Sequence, residues 1–442
     1  MKKILILGAG RSASSLIEYL LKVAATNDYE VTVADTSLES AKQKTKKNPR
    51  SRPILLDTSD EAKTRAEIER ADLVISMLPA FLHPAIAAQC VKLKKHLVTA
   101  SYVSPEMKAL DEEAKKAGII LMNEAGLDPG IDHASAMKII DKIKSEGGKL
   151  TVFKSYTGGL IAPESDDNPW GYKFTWNPRN VILAGQGTAR YMENGKYAFI
   201  PYQKLFTRAE KIHVDGLGDF EGYANRDSLS YRSIYGIEDI QTIVRGTLRK
   251  AGYCEAWNAF VQLGMTDDTY IIPESEKLSI REVVESFLPQ GKTDIRTRLA
   301  EYLNIPLKGP VMFRLEWLGL FDDTRLKIKN ASPALILQTF LETKWKLKEG
   351  DIDMIVMQHQ FEYELKDGGT KFCASTLVVK GDDAVYTAMA KTVGLPVGII
   401  TKLILEGNIK LTGVRTPTVK EIYEPLLQEL EELGVRFKEK EG

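Results

Sequence analysis

The narrowest constraint on the fold lies in the first 35 residues. A short apolar run, Ile4-Leu5-Ile6-Leu7, leads directly into Gly8-Ala9-Gly10-Arg11-Ser12-Ala13, and apolar residues then recur at helical spacing over about 12–23. This is G-x-G-x-x-A between a strand and a helix, the context that gives the pattern meaning. The first glycine permits a tight turn, and the second lets a pyrophosphate approach the backbone. Ala13 keeps helix and strand close. The free N–H groups of the first helical turn, with Arg11 and Ser12 beside them, face the phosphates. A chain that begins this way is expected to form a Rossmann domain holding NAD or NADP.

A second strand over 30–34 ends at Asp35. A carboxylate at this point accepts hydrogen bonds from the adenosine ribose hydroxyls and repels a 2′-phosphate. Thr36 and Ser37 follow, where an NADP enzyme would place an arginine, so NAD is expected to be preferred over NADP. Lys42, Lys44 and Lys46 soften that discrimination. Asp35 also suits a helix cap, and the two roles can coexist. Further along, the apolar run 73–78 ends at Ser76-Met77-Leu78-Pro79, and another ends at Thr99-Ala100-Ser101-Tyr102. Ligands of open α/β sheets collect outside the carboxyl ends of strands, so both segments are candidates to flank the nicotinamide half. Each is also readable as a plain strand-end turn.

Strand-like runs at 54–56, 97–99 and 119–122 alternate with helix-like stretches, including 81–92 and 105–117, which predicts a parallel sheet covered on both faces. The chain has 442 residues, more than one hydrophobic core supports, so a second domain is expected. After Asn123 the texture changes. A strand is expected over 150–156, a site-bearing loop over 158–176, a mostly helical region over about 237–303, and two antiparallel strands over 351–364 and 371–380. Helices over 383–393 and 396–406 precede a charged tail. The organisation read from this is an α/β chain. Residues 1–125 form the dinucleotide domain, completed by about 385–442, and 126–384 form a substrate domain with the helical insertion.

Lys+Arg and Asp+Glu are both 60, so no net charge marks a nucleic-acid or anionic-membrane partner. Cys90, Cys254 and Cys373 are far apart and odd in number, which suits free thiols in a reducing compartment and gives no metal-ligand spacing. The N-terminal apolar run is too short for a signal peptide. No stretch reads as approaching the roughly 18–20 apolar residues of a membrane span. A cytoplasmic protein with no metal is expected, and a homodimer is left open.

Several segments, taken in order, resemble the saccharopine dehydrogenases of the L-glutamate-forming kind. They are Ile75-Ser76-Met77-Leu78-Pro79 with His83-Pro84, Val98-Thr99-Ala100-Ser101-Tyr102-Val103-Ser104-Pro105, and Gly126-Leu127-Asp128-Pro129-Gly130-Ile131-Asp132-His133. Gly158-Gly159-Leu160-Ile161-Ala162-Pro163-Glu164, Asn168-Pro169 and Tyr172-Lys173-Phe174-Thr175-Trp176 follow, then Asn225-Arg226-Asp227-Ser228 and Arg245-Gly246-Thr247-Leu248-Arg249. The resemblance implies oxidation of saccharopine by NAD(P)+ and water to L-glutamate and L-2-aminoadipate 6-semialdehyde. It also implies a Rossmann domain beside an α/β substrate domain. Fungal members look like Cys-Arg-Thr where this chain has Asp35-Thr36; the acidic residue instead resembles the NAD-dependent domain of the animal bifunctional enzyme.

Saccharopine carries three carboxylates, so its site must offer fixed cations. Arg226 and Arg249 suit this, because a guanidinium fork binds a carboxylate at two points. The resemblance places both on substrate-binding motifs, together with Thr247, the backbone of Leu248, Ser101, Tyr102 and Asp128, and it sets Leu127 and Pro129 near the cofactor. On residues alone, Asp128 before Pro129 reads as a helix cap. Asp128, Tyr102 and His133 are the candidates for proton transfer; His133 is equally readable as a core residue, and the general base stays open. Competing readings are a related C–N dehydrogenase acting on a polyamine conjugate such as carboxynorspermidine, and a non-catalytic NAD(P)-binding protein.

Overall fold

Six short strands, all but the half-buried edge strand β3 largely buried on both faces, build the first sheet: β1 (Lys2–Leu7), β2 (Tyr29–Asp35), β3 (Ser51–Leu55), β4 (Leu73–Ser76), β5 (His96–Thr99) and β6 (Ile120–Met122). With the strand Gly413–Arg415 their order is Gly413–Arg415, β6, β5, β4, β1, β2, β3, and every pair is parallel. Leu7 stands opposite both Ala34 and Ser76, so the carboxyl ends of β1, β2 and β4 are level and their loops share one edge. The computed structural model describes residues 1–184 and 186–442. These divide into a first unit of Met1–Leu150, Tyr363–Lys371 and Leu377–Glu439, and a second of Thr151–Glu362, Phe372–Thr376 and Lys440–Gly442.

Helix Ser14–Ala24 packs against helix Ala388–Leu405 within the first unit. A Cβ on Gly394 would lie 2.8 Å from the backbone N of Leu16, and one on Gly398 would lie 2.6 Å from the Tyr19 ring. Glycine at both positions lets the helices approach this closely. The sequence reads two helices here, broken near Pro396; the structure has one, with Pro396 inside it. The proline removes one intrahelical hydrogen bond, and burial of the helix outweighs that loss. By length and composition this helix could cross a membrane, which corrects the reading that no stretch comes near. Its most apolar window is 78% buried in the protein, as befits a core helix covered on most sides.

The expected charged tail contains helix Lys420–Glu432, which buries Ile422, Tyr423, Leu426 and Leu430. It packs against helix Ile131–Ser145, where the Tyr423 hydroxyl donates to Asp141 Oδ2 at 2.7 Å. The first unit therefore runs to Leu150 and takes in a helix that a boundary at residue 125 leaves out.

The remaining strands are β7 (Lys149–Ile161), β8 (Ala189–Glu193), β9 (Lys196–Ile200), β10 (Glu210–Val214), β11 (Gly218–Ala224), β12 (Thr242–Lys250), β13 (Asp353–Glu364), β14 (Thr370–Lys380), β15 (the Gly413–Arg415 strand already described) and β16 (Phe437–Glu441). The second sheet has the order β10-β11-β12-β7-β13-β14-β16, with the β8–β9 hairpin off that path against β12. β12 corrects the start of the expected helical region over 237–303. β12 mixes Ile243, Val244 and Leu248 with Arg245 and Arg249 in one nearly fully buried run, so no strict alternation marks it as a strand. Helices begin at Tyr253 and continue to Lys344, so the helical region is 253–344 in place of 237–303. The expected loop 158–176 is strand as far as Ile161, and it then sends Trp170, Tyr172 and Phe174 into the core beside Tyr253, Trp257 and Trp345.

Candidate dinucleotide and substrate-binding sites

The glycine turn of the first unit is held from below and open above. Gly8 has φ +99°, and a Cβ there would lie 3.0 Å from the Met77 carbonyl oxygen. The Gly8 N–H donates to Ala34 O at 2.8 Å, and the Met77 N–H donates to Leu7 O at 2.8 Å, which ties the turn to the ends of β2 and β4. A Cβ on Gly10, by contrast, would meet nothing within 4 Å. That open space is lined by Gly10, Arg11, Ser12, Ser76, Leu78 and Ser101. A backbone cradle of this kind fits a pyrophosphate, with Gly10 leaving room for it. Met77 is half-buried, Ala13 is buried, and Arg11 and Thr36 are exposed.

Asp35 closes the turn from the side. Its Oδ2 accepts the Ala9 N–H at 2.7 Å and its Oδ1 accepts the Ser37 N–H at 2.8 Å. The next helix is capped by Ser37, whose side chain accepts from Ser40 N, so the cap reading of Asp35 gives way. Lys44 also reaches the loop: its ammonium donates to Gly10 O at 2.7 Å and to Ser14 Oγ at 2.6 Å. Burial lowers the Lys44 pKa, and the nearby Asp35 opposes that shift.

Beneath the same edge, His83 links the ends of β4 and β5. Its Nδ1 lies 2.8 Å from Ser76 Oγ, and its Nε2 lies 2.8 Å from Ser101 Oγ and 3.2 Å from Thr99 Oγ1. Burial pushes its pKa down to about 4, leaving a neutral ring at physiological pH. Beyond Ser101, the half-exposed Tyr102 donates its hydroxyl to Asp128 Oδ1 at 3.3 Å. Asp128 is not a helix cap. The helix Ile131–Ser145 has Gly130 at its N-cap, and Asp132 Oδ1 accepts the Gly130 N–H at 2.6 Å. Leu127 and Pro129 are buried in this turn. His133 is fully buried with Nε2 2.7 Å from Glu124 Oε2, and Glu124 Oε1 accepts the Val103 N–H at 3.0 Å. This placement favours the core reading of His133: it anchors Glu124, which in turn holds the chain beside Tyr102.

In the second unit, Arg249 is 3% exposed. Its guanidinium carbon lies 5.0 Å from the Tyr172 ring centroid, 5.4 Å from Tyr253 and 6.0 Å from Tyr223. Nη1 donates to Leu248 O at 2.9 Å, and Nε is buried without a hydrogen-bond partner. Among the described residues no carboxylate pairs with it. Glu221, opposite it on β11, accepts instead from the N–H groups of Gly252 and Cys254 at 2.7 and 2.8 Å. Burial raises the pKa of all three tyrosines, with Arg249 pulling the other way, so the cage supplies neutral phenols and no countercharge. A buried cation left this way is costly unless an anion joins it.

Thr247 Oγ1 donates to Asn225 Oδ1 at 2.9 Å, and Leu248 is buried. Arg226 is exposed and donates to Leu183 O at 3.1 Å. The structure does not bring the two arginines together. Arg249 faces Glu221, whereas Arg226 lies beyond the Ala224–Gly246 pair, roughly 17 Å along the strand direction at about 3.4 Å per residue.

Residues 4–122 match the family described as saccharopine dehydrogenase NADP binding domain, and residues 126–435 match saccharopine dehydrogenase C-terminal domain. The chain belongs to the saccharopine dehydrogenase family. It is 38% identical over 447 residues to saccharopine dehydrogenase [NADP(+), L-glutamate-forming] of Saccharomyces cerevisiae, covering 99% of both chains. It is 37% identical over 443 residues to the mitochondrial alpha-aminoadipic semialdehyde synthase of Rattus norvegicus, covering 99% of this chain and 47% of that protein. The solved apo, histidine-tagged saccharopine dehydrogenase (L-Glu forming) from S. cerevisiae matches with TM-score 0.90 and 37% identity over 100% of both chains. Within this family frame, sequence reasoning missed the bridging place of His83, the anchor Glu124 and the tyrosines around Arg249. His83 and Tyr172 stood inside quoted motifs, but nothing in a motif says which partners converge on them.

Proposed function

We propose that this protein oxidises saccharopine with NAD(P)+ and water, releasing L-glutamate and L-2-aminoadipate 6-semialdehyde. The observation that carries this reading is Arg249, a buried guanidinium among neutral phenols with no carboxylate of its own. Such a group is suited to a substrate carboxylate, and saccharopine has three. Arg226, exposed at the far end of the β11–β12 ladder, suits a second. The spacing of the two arginines favours a long polyanion, and it speaks against a polyamine conjugate, which would call for acidic residues in their place.

NAD(P)+, which the Gly8–Gly10 turn and Ser76–Leu78 would hold, would supply the hydride acceptor, and the carbon oxidised would be the one next to the secondary amine on the lysine-derived arm. That amine loses its proton, and a carbon–nitrogen double bond forms. Water adds to the same carbon, and breaking the carbon–nitrogen bond returns the electron pair to nitrogen as the glutamate amine. In this reading Arg249 and Arg226 hold carboxylates, with Thr247 and the Leu248 backbone beside Arg249. Asp128 and Tyr102 serve the amines: the carboxylate steadies an ammonium, and the phenol it accepts from can pass a proton. Ser101 contributes a further hydroxyl contact.

For the cofactor, the Gly8–Gly10 turn, Ser12 and Ser76–Leu78 hold the dinucleotide. Asp35 gives NAD the advantage, because a carboxylate at the end of β2 repels a 2′-phosphate. Lys44 limits that advantage with a positive charge on the same loop. The fungal relatives are named as NADP(+) enzymes, so this preference is the part most exposed to test. Purified protein given saccharopine with NAD+ or NADP+ in turn should form reduced cofactor with both and faster with NAD+. No turnover with either would remove the proposal.

A further inference from the structure

Resting on the dinucleotide side of the saccharopine dehydrogenase reading, we propose that Lys44 is a positioning residue for the cofactor. It holds the Gly10 carbonyl back, so that the N–H at the other end of the same peptide faces the cleft where a pyrophosphate would lie. Two hydrogen bonds carry the idea. The Lys44 ammonium donates to Gly10 O at 2.7 Å and to Ser14 Oγ at 2.6 Å, and Ser14 Oγ donates in turn to Arg11 O at 3.2 Å. One cation thus gathers the carbonyls of Gly10 and Arg11, the first directly and the second through a hydroxyl. Lys44 stands in the last turn of the helix Leu38–Thr45, where the carbonyl end favours a positive charge.

A peptide unit is planar and trans, so its C=O and N–H point in opposite directions. A Gly10 carbonyl turned toward Lys44 therefore sends the Arg11 N–H to the other side of the turn. Gly10, Arg11 and Ser12 line the open space of the cleft, whereas Lys44 lines a separate opening with Ser15 and Glu18. Gly10 and Arg11 are exposed, and among the described residues no hydrogen bond engages the N–H of Arg11 or of Ser12. First-turn N–H groups left over in this way are the donors that an oxyanion takes. Glycine makes the restraint matter, because without a Cβ the backbone at Gly10 is loosely held. Apart from Lys44, among the described residues Gly10 O accepts only the Ala13 N–H, at 3.1 Å. Asp35 completes the arrangement with the opposite charge, since its Oδ2 accepts the Ala9 N–H at 2.7 Å. The peptides on either side of the Ala9–Gly10 unit are each held by a charged side chain from outside the turn.

The test compares Lys44→Met and Lys44→Arg with wild type. NADH and NADPH affinity is read by the fluorescence of bound cofactor without saccharopine, and ADP-ribose and adenosine are read by their displacement of NADH. Lys44→Met should weaken NADH, NADPH and ADP-ribose by similar factors, on the order of tenfold for one lost charged hydrogen bond. Adenosine, which has no phosphate, should bind as to wild type, and Lys44→Arg should restore most of the loss. In turnover, KM for NAD+ should rise while kcat and the KM for saccharopine hold. Most of the loss should persist in high salt, which screens a distant charge but not a contact to the backbone. Unchanged NADH affinity would overturn the proposal. So would a loss confined to NADPH, which marks a direct phosphate contact, a loss that salt abolishes, or an equal loss for adenosine. Should Lys44→Met fail to fold, Ser14→Ala removes one of the two anchors of the ammonium. It should weaken ADP-ribose roughly threefold, and wild-type affinity there would count against the proposal just as firmly. A wild-type protein that binds NADH with this pattern but never turns over saccharopine would refute the enzymatic reading and leave the role of Lys44 standing.

Discussion

Replacing Arg249 by methionine separates a ligand-binding arginine from a structural one. Removing one partner of a buried ion pair costs about 3–5 kcal/mol, because the other charge is left stranded. No carboxylate would be stranded here, since Glu221 is engaged by Gly252 and Cys254. The variant loses one charged hydrogen bond to Leu248 O, roughly 1.5–3 kcal/mol, and cation–π contacts of about 0.5–2 kcal/mol each. Against this it escapes a guanidinium desolvation cost of several kcal/mol. Arg249→Met should therefore unfold in urea within about 1 kcal/mol of wild type. Its kcat/KM for saccharopine should fall roughly a hundred- to a thousandfold, the equivalent of about 3–4 kcal/mol for a two-point carboxylate contact. NADH affinity should hold. A loss of 3 kcal/mol or more in stability, with kcat/KM unchanged, would show that Arg249 is part of the scaffold and that the reasoning is wrong.

Other consequences are simpler. Asp35→Asn keeps an acceptor for the Ala9 N–H but removes the charge; at about 5 Å and an effective dielectric near 20, that is worth roughly 3 kcal/mol against one unit of phosphate charge. The kcat/KM ratio of NADP+ to NAD+ should rise at least about tenfold, and a constant ratio would exclude Asp35 from cofactor choice. Gly394→Ala drives a Cβ to 2.8 Å from the Leu16 backbone and should cost about 1–3 kcal/mol in urea unfolding, whereas a neutral effect would mean that the two helices part easily. His83 titrates near 4 when folded and near 6.5 when unfolded, so below pH 6.5 the unfolded chain binds the extra proton and the folded state loses ground. From pH 7 to pH 5 the wild type should lose about 2 kcal/mol more than His83→Gln, and parallel pH curves would contradict the burial argument.

The dinucleotide unit was legible because each of its signals is local. The glycine turn, the strand over 30–34 and Asp35 are read from neighbouring residues, and they lie level on one sheet edge as a parallel register requires. Elements decided by distant packing were not legible. β12 buries Arg245 and Arg249 among apolar residues without alternation, Pro396 promised a break that burial overrode, and the charges of 420–432 hid the Ile422, Tyr423, Leu426 and Leu430 face. The site divides in the same way. Arg249 was visible as a residue, but its lack of a carboxylate depends on where Glu221 and three tyrosines converge. Likewise His133 and Asp128 were visible as chemistry, while only the fold shows that Glu124 holds the one and that Gly130 is the cap.

The central claim meets its most direct test in the stoichiometry of one reaction. Purified protein with saccharopine and NAD+ should yield reduced cofactor, L-glutamate and the semialdehyde in equal amounts, with wild-type rates far above those of Arg249→Met. Glutamate-free mixtures, with lysine and 2-oxoglutarate as the products or with no reduced cofactor at all, would contradict the account.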